Sequence, residues 1–306
     1  MERLKGRLYL FCAFSLAGTS VIAARFVNDK LGTFTITAVS LFFALLFLLP
    51  LVGRELVKSV IRLNVKDWLL LLLQALFGIF LFRMFLLYGL LHTSAVEAGI
   101  LTGATPAVTV VLAMVLLKES VNRAKFAGIL STVGGIFLIQ GIFAAGGKFS
   151  ADHIAGNVLV LCAAVSESLF NLFSRTAAVQ TMFSRSEPVH PFVQTALVSA
   201  AALVLCLIPS LYEDPVSALS VIGWREWLAL IWYGPFVTAL AFIFWYAGIK
   251  RCHASTAAAF SGMMPFTALL LSVAVLGEAA GWQQWAGGGL VILGMVLIGG
   301  SSSQVR

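Results

Sequence analysis

The sequence predicts an all-α integral membrane protein, with ten transmembrane helices in two inverted five-helix repeats and both termini cytosolic. Three observations carry that prediction. The 306 residues are 60% hydrophobic and only 11% charged, with a mean hydropathy of +0.99. That is more apolar surface than a water-soluble domain of this length needs. A helix needs about 20 apolar residues to cross a bilayer, and the chain offers ten such runs. Finally, PAVTVVLAMVLLKE, which starts at Pro106, is echoed 159 residues later by PFTALLLSVAVLGE, which starts at Pro265.

The runs fall near 8–26, 33–52, 68–90, 95–117, 124–143, 154–174, 191–210, 226–249, 254–276 and 283–300. They are continuously apolar rather than alternating, which excludes a β-barrel. MERLKGR followed by the first run is similar to a secretory signal, but as one of ten spans it reads as an uncleaved first helix. The longest connections, 53–67 and 175–190, are too short for a soluble domain. Cys12, Cys162, Cys206 and Cys252 lie in or beside apolar runs without CxxC or metal spacing, so packing is their expected role and no metal site is expected.

Charge fixes the expected orientation. With the N-terminus in the cytosol, 15 of the 20 Lys and Arg residues fall on the inner side, four on the outer side, and Arg83 within a span. This is the positive-inside pattern. The formal net charge of +7 therefore concerns topology, and no nucleic-acid partner is expected. The bilayer and a small-molecule substrate are the expected partners, and a homo-oligomer is compatible with the sequence.

The 159-residue offset aligns more than the Pro–Glu pair. Gly89 falls on Gly248, Ala95 on Ala254, Gly103 on Gly262, Gly128 on Gly287 and Gly135 on Gly294. Earlier in each half the offset is 150, with Cys12 on Cys162 and Arg25 on Arg175. The halves are then 1–147 and 148–306. Five is odd, so the second copy enters the membrane from the opposite side. Bases follow Glu119 (Arg123, Lys125), whereas WQQW follows Glu278. Inverted repeats characterise many secondary transporters.

The P-x12-E pattern followed by a Gly-rich helix, AGILSTVGGIFLIQG or AGGGLVILGMVLIGG, resembles the drug/metabolite transporter superfamily in its ten-helix form. The resemblance covers nearly the whole chain and occurs in both halves. Its length and paired half-repeats are similar to bacterial exporters of amino acids, including aromatic amino-acid exporters. The resemblance implies outward flux across a bacterial inner (plasma) membrane. Glu167, in SESLFN, stands where relatives more often place an aromatic or small residue.

Three ionisable residues sit inside apolar runs: Arg83, Glu97 and Glu167. A charge at the bilayer centre costs about 2.5–3.5 kcal/mol on insertion scales, so such residues face a bundle interior or a wet cavity. Asn171 and Ser174 follow Glu167 at i+4 and i+7, giving a polar stripe on one helix face. A substrate pathway and a structural hydrogen-bonded carboxyl both fit that stripe. Arg83 and Glu97 lie on antiparallel helices and differ in height by about five residues, roughly 7–8 Å. An ion pair locking two helices, a gate or ligand contact, and snorkelling of Arg83 are all open.

Trp245 and Tyr246, like Tyr88 at the other end, read as aromatic belt or as substrate-stacking groups. Phe260, Met263 and Met264 read as core or as the wall of a cavity for an apolar ligand. Pro106 and Pro265 are expected to kink their helices. No HExxH, GxSxG or P-loop motif is present, so neither an enzyme nor ATP hydrolysis is expected, and no cofactor. The expected function is a secondary transporter exporting small metabolites by alternating access, foremost amino acids with apolar or aromatic side chains. A multidrug or lipophilic-cation exporter, and a non-carrier such as a channel, are the alternatives.

Overall fold

The computed structural model describes residues 2–117, 122–139, 151–183, 190–251, 260–261 and 263–301. Every regular element among them is helical. α1 (Glu2–Gly18) and α2 (Ser20–Val27) form one broken rod, followed by α3 (Thr33–Arg62). α4 (Val65–Ala75) runs through a π-helical stretch, Leu76–Leu81, into α5 (Phe82–Leu90). α6 (Ala95–Thr102), α7 (Thr105–Leu117) and α8 (Arg123–Ile139) follow. Next come α9 (Ala151–Phe183), α10 (Pro191–Leu211) and the short α11 (Pro215–Ser220). α12 (Trp224–Ile231) continues through a second π-helical stretch, Trp232–Leu240, into α13 (Ala241–Ile249). Met263–Leu276 and Trp282–Ser301 complete the chain as α14 and α15.

Among the described residues, seven helical rods are long and apolar enough to cross a membrane. The other three predicted runs fall on α8, α14 and α15, which are not among the seven; the apolar stretches of the last two are shorter, Met263–Leu276 and Trp282–Ile298. Two expected loops are partly helix. α3 continues ten residues past the end of its apolar run, to Arg62. α9 covers 175–183, much of the predicted second connection. Both extensions are amphipathic or polar, so apolar run length underestimates the helix.

The elements start where the sequence supplies a cap. Asn64 accepts from the Asp67 amide and Asp67 from that of Asn64, a reciprocal capping box at α4. Two helices are capped from far along the chain. Glu213 accepts from the Phe34 and Thr35 amides at 3.1 and 2.7 Å, closing the start of α3. Glu278 accepts from Ala95 and Val96 at 3.2 and 2.9 Å, closing the start of α6. A carboxylate there also opposes the positive end of the helix dipole. This is the structural place of the Glu in the second P-x12-E motif; Glu119, in the first, lies outside the described residues.

The two prolines differ from expectation. Pro106 is the second residue of α7, after a turn at Gly103–Ala104, and Pro265 is the third of α14. A proline in the first turn forfeits an N–H that lacks an intrahelical partner in any case. The break between α6 and α7 therefore precedes Pro106 instead of bending around it. The Thr105 hydroxyl donates to the Thr102 carbonyl at 2.8 Å, which a regular helix would pair with the N–H of residue 106.

Glycines set the closest helix contacts. In the α8–α15 pair, a Cβ on Gly128 would stand 2.7 Å from the Gly294 carbonyl oxygen, and one on Gly135 would stand 2.6 Å from that of Gly287. Between them, Ser131 Oγ donates to the Leu290 carbonyl at 2.7 Å. Each of the two glycines thus meets the 159-offset counterpart of the other, and Ser131 meets its own.

Candidate functional site

The apolar helices converge on an internal cavity of about 720 Å³, open solvent included. Its walls come from both halves of the chain. Ala13, Phe14, Ala17 and Ser20 line it from α1 and α2, and Gly78, Ile79, Phe82 and Arg83 from the first π stretch and α5. The second half contributes Glu167, Phe170 and Asn171 from α9, Tyr233 and Val237 from the second π stretch, Ala241, Phe242 and Trp245 from α13, and Met264 from α14.

The sequence offsets reappear in this wall. Ala17 and Glu167, and Ser20 and Phe170, are 150 apart; Gly78 and Val237, Phe82 and Ala241, and Arg83 and Phe242 are 159 apart. All ten residues line the cavity. The π stretches match as well, since their last residues, Leu81 and Leu240, are also 159 apart. A π-helical turn widens the backbone and recurs at functional sites. In the second stretch Pro235 has no N–H to give, and the Thr238 hydroxyl donates to the Tyr233 carbonyl at 2.8 Å.

Arg83 is 4% exposed. Its guanidinium donates to Ser40 Oγ at 2.7 Å and to Thr238 Oγ1, and it lies 4.2 Å over the Tyr233 ring. All three partners are neutral, and among the described residues no carboxylate pairs with it. The expected alternative of an Arg83–Glu97 ion pair is corrected here. Arg83 turns toward α3 and the second π stretch, while Glu97 is held elsewhere. Its carboxylate meets His153 Nε2 at 2.7 Å and accepts from Asn157 at 3.0 Å, Thr93 at 3.2 Å and Gln284 at 3.4 Å. That cluster sits at the start of α6, tying it to α9 and α15.

Glu167 lines the same cavity, with Oε2 2.8 Å from Thr105 Oγ1. Asn171 lines the same space; Ser174, the third member of the stripe read from α9, is buried and not part of the lining. The other candidates divide. Trp245 and Met264 line the cavity; Phe260 and Met263 pack beside them on the Leu10–Phe14–Met264 cluster. Tyr246 is 1% exposed and stands behind the wall, donating to Gln74 Oε1 at 2.9 Å and meeting Phe170 and Phe242 edge-on. Tyr88 is 39% exposed, away from the cavity, with its ring edge-on to Phe34.

Sequence reasoning missed Phe14, Phe82, Phe170, Tyr233 and Phe242. With 24 phenylalanines, an aromatic is no signal by itself. The repeat offset was the usable one: applied to Arg83 it points at Phe242. Two donors on this wall, Tyr233 Oη and Trp245 Nε1, are buried without a hydrogen-bond partner among the described residues. Buried polar atoms are rarely left so.

The model of the EamA-like transporter family matches this chain twice, over residues 4–141 and 154–300. The chain belongs to the EamA-like transporter family. It is therefore a multi-pass membrane transporter and not an enzyme. This EamA-like chain is 30% identical over 287 residues to the uncharacterized transporter YetK of Bacillus subtilis (strain 168), covering 94% of this chain and 84% of that one. It is 28% identical over 225 residues to the aromatic amino acid exporter YddG of Ancylobacter novellus, covering 74% and 72% of the two chains. A solved crystal structure shares the fold, with a TM-score of 0.68, 22% identity and 98% of each chain covered.

Proposed function

We propose that this transporter is a secondary carrier that exports amino acids with apolar or aromatic side chains, by alternating access, across a bacterial plasma membrane. One observation carries the reading. A buried guanidinium with only neutral partners, Arg83, lines a cavity whose wall also bears a carboxyl, Glu167. An uncompensated buried charge is costly, and a ligand carboxylate would relieve that cost. A zwitterion needs one base and one acid, and the lining supplies one of each. Phe14, Phe82, Phe170, Phe242 and Trp245 suit an apolar or aromatic side chain. A phosphorylated ligand would call for several cations, and Arg83 is the one cation in the lining. The exporter named among the relatives supports the same class and the outward direction.

Alternating access rests on the proposed ten-helix inverted repeat, 1–147 and 148–306, with both termini cytosolic. Its support is the double family match, the exchange of counterparts across the α8–α15 seam and the paired π stretches. Single cysteines at Ser120 and Gly281, in a background without native cysteines, test it. Gly281→Cys is expected to react with a membrane-impermeant thiol reagent in intact cells, and Ser120→Cys only after permeabilisation. Equal labelling of the two contradicts the inverted topology.

Substrate class is tested in proteoliposomes loaded with phenylalanine, alanine, a sugar phosphate or a quaternary ammonium dye. Phenylalanine flux with trans-stimulation is the expected outcome. Flux of the dye or the sugar phosphate, with none of either amino acid, overturns the proposal, and flux without trans-stimulation marks a pore.

A further inference from the structure

Among the described residues, five buried polar side-chain atoms lack a hydrogen-bond partner: the hydroxyls of Ser15, Ser174 and Ser199, Tyr233 Oη and Trp245 Nε1. They are not equivalent. A serine hydroxyl on a helix can turn onto a carbonyl of its own preceding turn, and it both donates and accepts. None of the three serines lines the cavity. Tyr233 Oη is also a rotor. An indole N–H is fixed in the plane of its ring and can only donate. Trp245 is the one of the five that no hydroxyl rotation relieves.

Trp232, thirteen residues earlier on the same rod, is the contrast: its Nε1 donates to Thr19 Oγ1 at 2.9 Å. Trp245 instead packs on Leu10, Phe14 and Met264, whose side chains carry no oxygen or nitrogen. The Phe14 ring stands at 73° to it with centroids 5.6 Å apart, and an aromatic ring offers only its π face, a second-order acceptor. Ser20, Glu167 and Asn171 share the cavity lining, and none of them accepts from the indole. Leaving a buried donor unpaired is costly, and the cavity is the space from which an acceptor can come. Position decides which part of a ligand supplies it. The Arg83 guanidinium lies over the Tyr233 ring, and Trp245 follows Tyr233 by twelve residues, about three helical turns. A carboxylate held at Arg83 thus leaves Trp245 to the other end of the molecule. Phe82, Phe170 and Phe242 share the lining, so that end is an aromatic or apolar group.

We infer that Trp245 Nε1 donates to the far end of the substrate's side chain, and that the preferred substrate is an aromatic amino acid with a hydrogen-bond acceptor on its ring, as in tyrosine. The inference rests on the amino-acid reading above and narrows its substrate class. Phenylalanine fits the same cavity but leaves the donor unpaired.

O-methyltyrosine and para-ethylphenylalanine test this, because they differ only by an ether oxygen in place of a methylene, and only the first can accept. Each is measured by equilibrium dialysis against the purified wild type and Trp245→Phe. An oxygen is harder to desolvate than a methylene, so the informative quantity is the ratio of the two affinities. That ratio is expected to shift about fivefold against O-methyltyrosine on going from wild type to Trp245→Phe, whereas a loss of packing alone weakens both ligands alike. An unchanged ratio overturns the inference and leaves the amino-acid reading intact. A second readout needs no amino-acid headgroup. In isotope-labelled wild type, the indole N–H resonance of Trp245, identified by its absence from Trp245→Phe or Trp245→Tyr, should move downfield with anisole and not with ethylbenzene. Equal responses overturn the inference even if neither amino acid binds, a result that would by itself count only against the amino-acid reading.

Discussion

The α8–α15 seam and the cavity wall are both built from positions related by the same sequence offsets, yet they treat those positions in opposite ways. At the seam the closest contacts fall on identical counterparts, Gly128 and Gly287, Gly135 and Gly294: Gly128, Gly135 and Gly294 each press against a carbonyl of the facing helix, and Gly287 lends the carbonyl that meets Gly135. At the cavity they diverge: arginine against phenylalanine at 83 and 242, and glutamate against alanine at 167 and 17. Packing two like helices rewards sameness, because both must present the same thin face. A ligand with two unlike ends rewards difference, because a symmetric wall could offer only two acids or two bases. Under the proposed function, positions where the two halves agree hold the fold, and positions where they differ face the ligand.

The largest effect expected from breaking the comparison is at the seam. Gly128→Leu puts a side chain where a Cβ alone would meet the Gly294 carbonyl at 2.7 Å. Overpacking of this kind costs about 1–3 kcal/mol and more when backbone cannot move, so folded yield and thermal stability in detergent should fall sharply. Gly134→Leu, on the same helix with nothing within 4 Å, should leave both unchanged.

Next comes the cavity. Arg83→Met should fold to wild-type yield yet lose phenylalanine transport about tenfold or more, the equivalent of at least about 1.4 kcal/mol. Transplanting both charges to their counterparts, with Ala17→Glu and Phe242→Arg added to Glu167→Ala and Arg83→Phe, sharpens the comparison. Some phenylalanine flux should return relative to the Arg83→Phe/Glu167→Ala double variant, since the wall positions are equivalent. No recovery would mean that the halves are not interchangeable at the ligand.

The smallest effect is at a helix start. Glu278→Gln keeps the shape of the α6 cap but loses its charge, an expected cost of about 0.3–1 kcal/mol. Thermal unfolding should move slightly, and transport at saturating phenylalanine should not.

What the sequence made legible follows from the same contrast. Identical counterparts are visible as a repeat, so the offset, the Gly-rich helices and the helical membrane class could all be read directly. Divergent counterparts look unremarkable. Phe242 is one phenylalanine among 24 until Arg83 is known to face the cavity. Burial direction was also beyond reach: Trp245 and Tyr246 are neighbours, but helix rotation puts one on the cavity wall and the other behind it, bonded to Gln74. The role of Pro106 was misplaced for a related reason. A proline forbids one hydrogen bond wherever it stands, but whether a kink follows depends on where the helix begins. Here α7 begins one residue earlier, and the cost falls on the Thr102 carbonyl and the Thr105 hydroxyl instead.

The central claim, that Arg83 receives the carboxylate of a zwitterion, is tested most directly by a double cycle of binding affinities. Phenylalanine and phenethylamine, which lacks the carboxylate, are each measured against wild type and Arg83→Met. Removing either partner alone should weaken binding about tenfold, and removing both should weaken it no further, because the two losses are one interaction. Losses that add, with phenethylamine as sensitive to Arg83→Met as phenylalanine is, would place the carboxylate elsewhere and contradict the account.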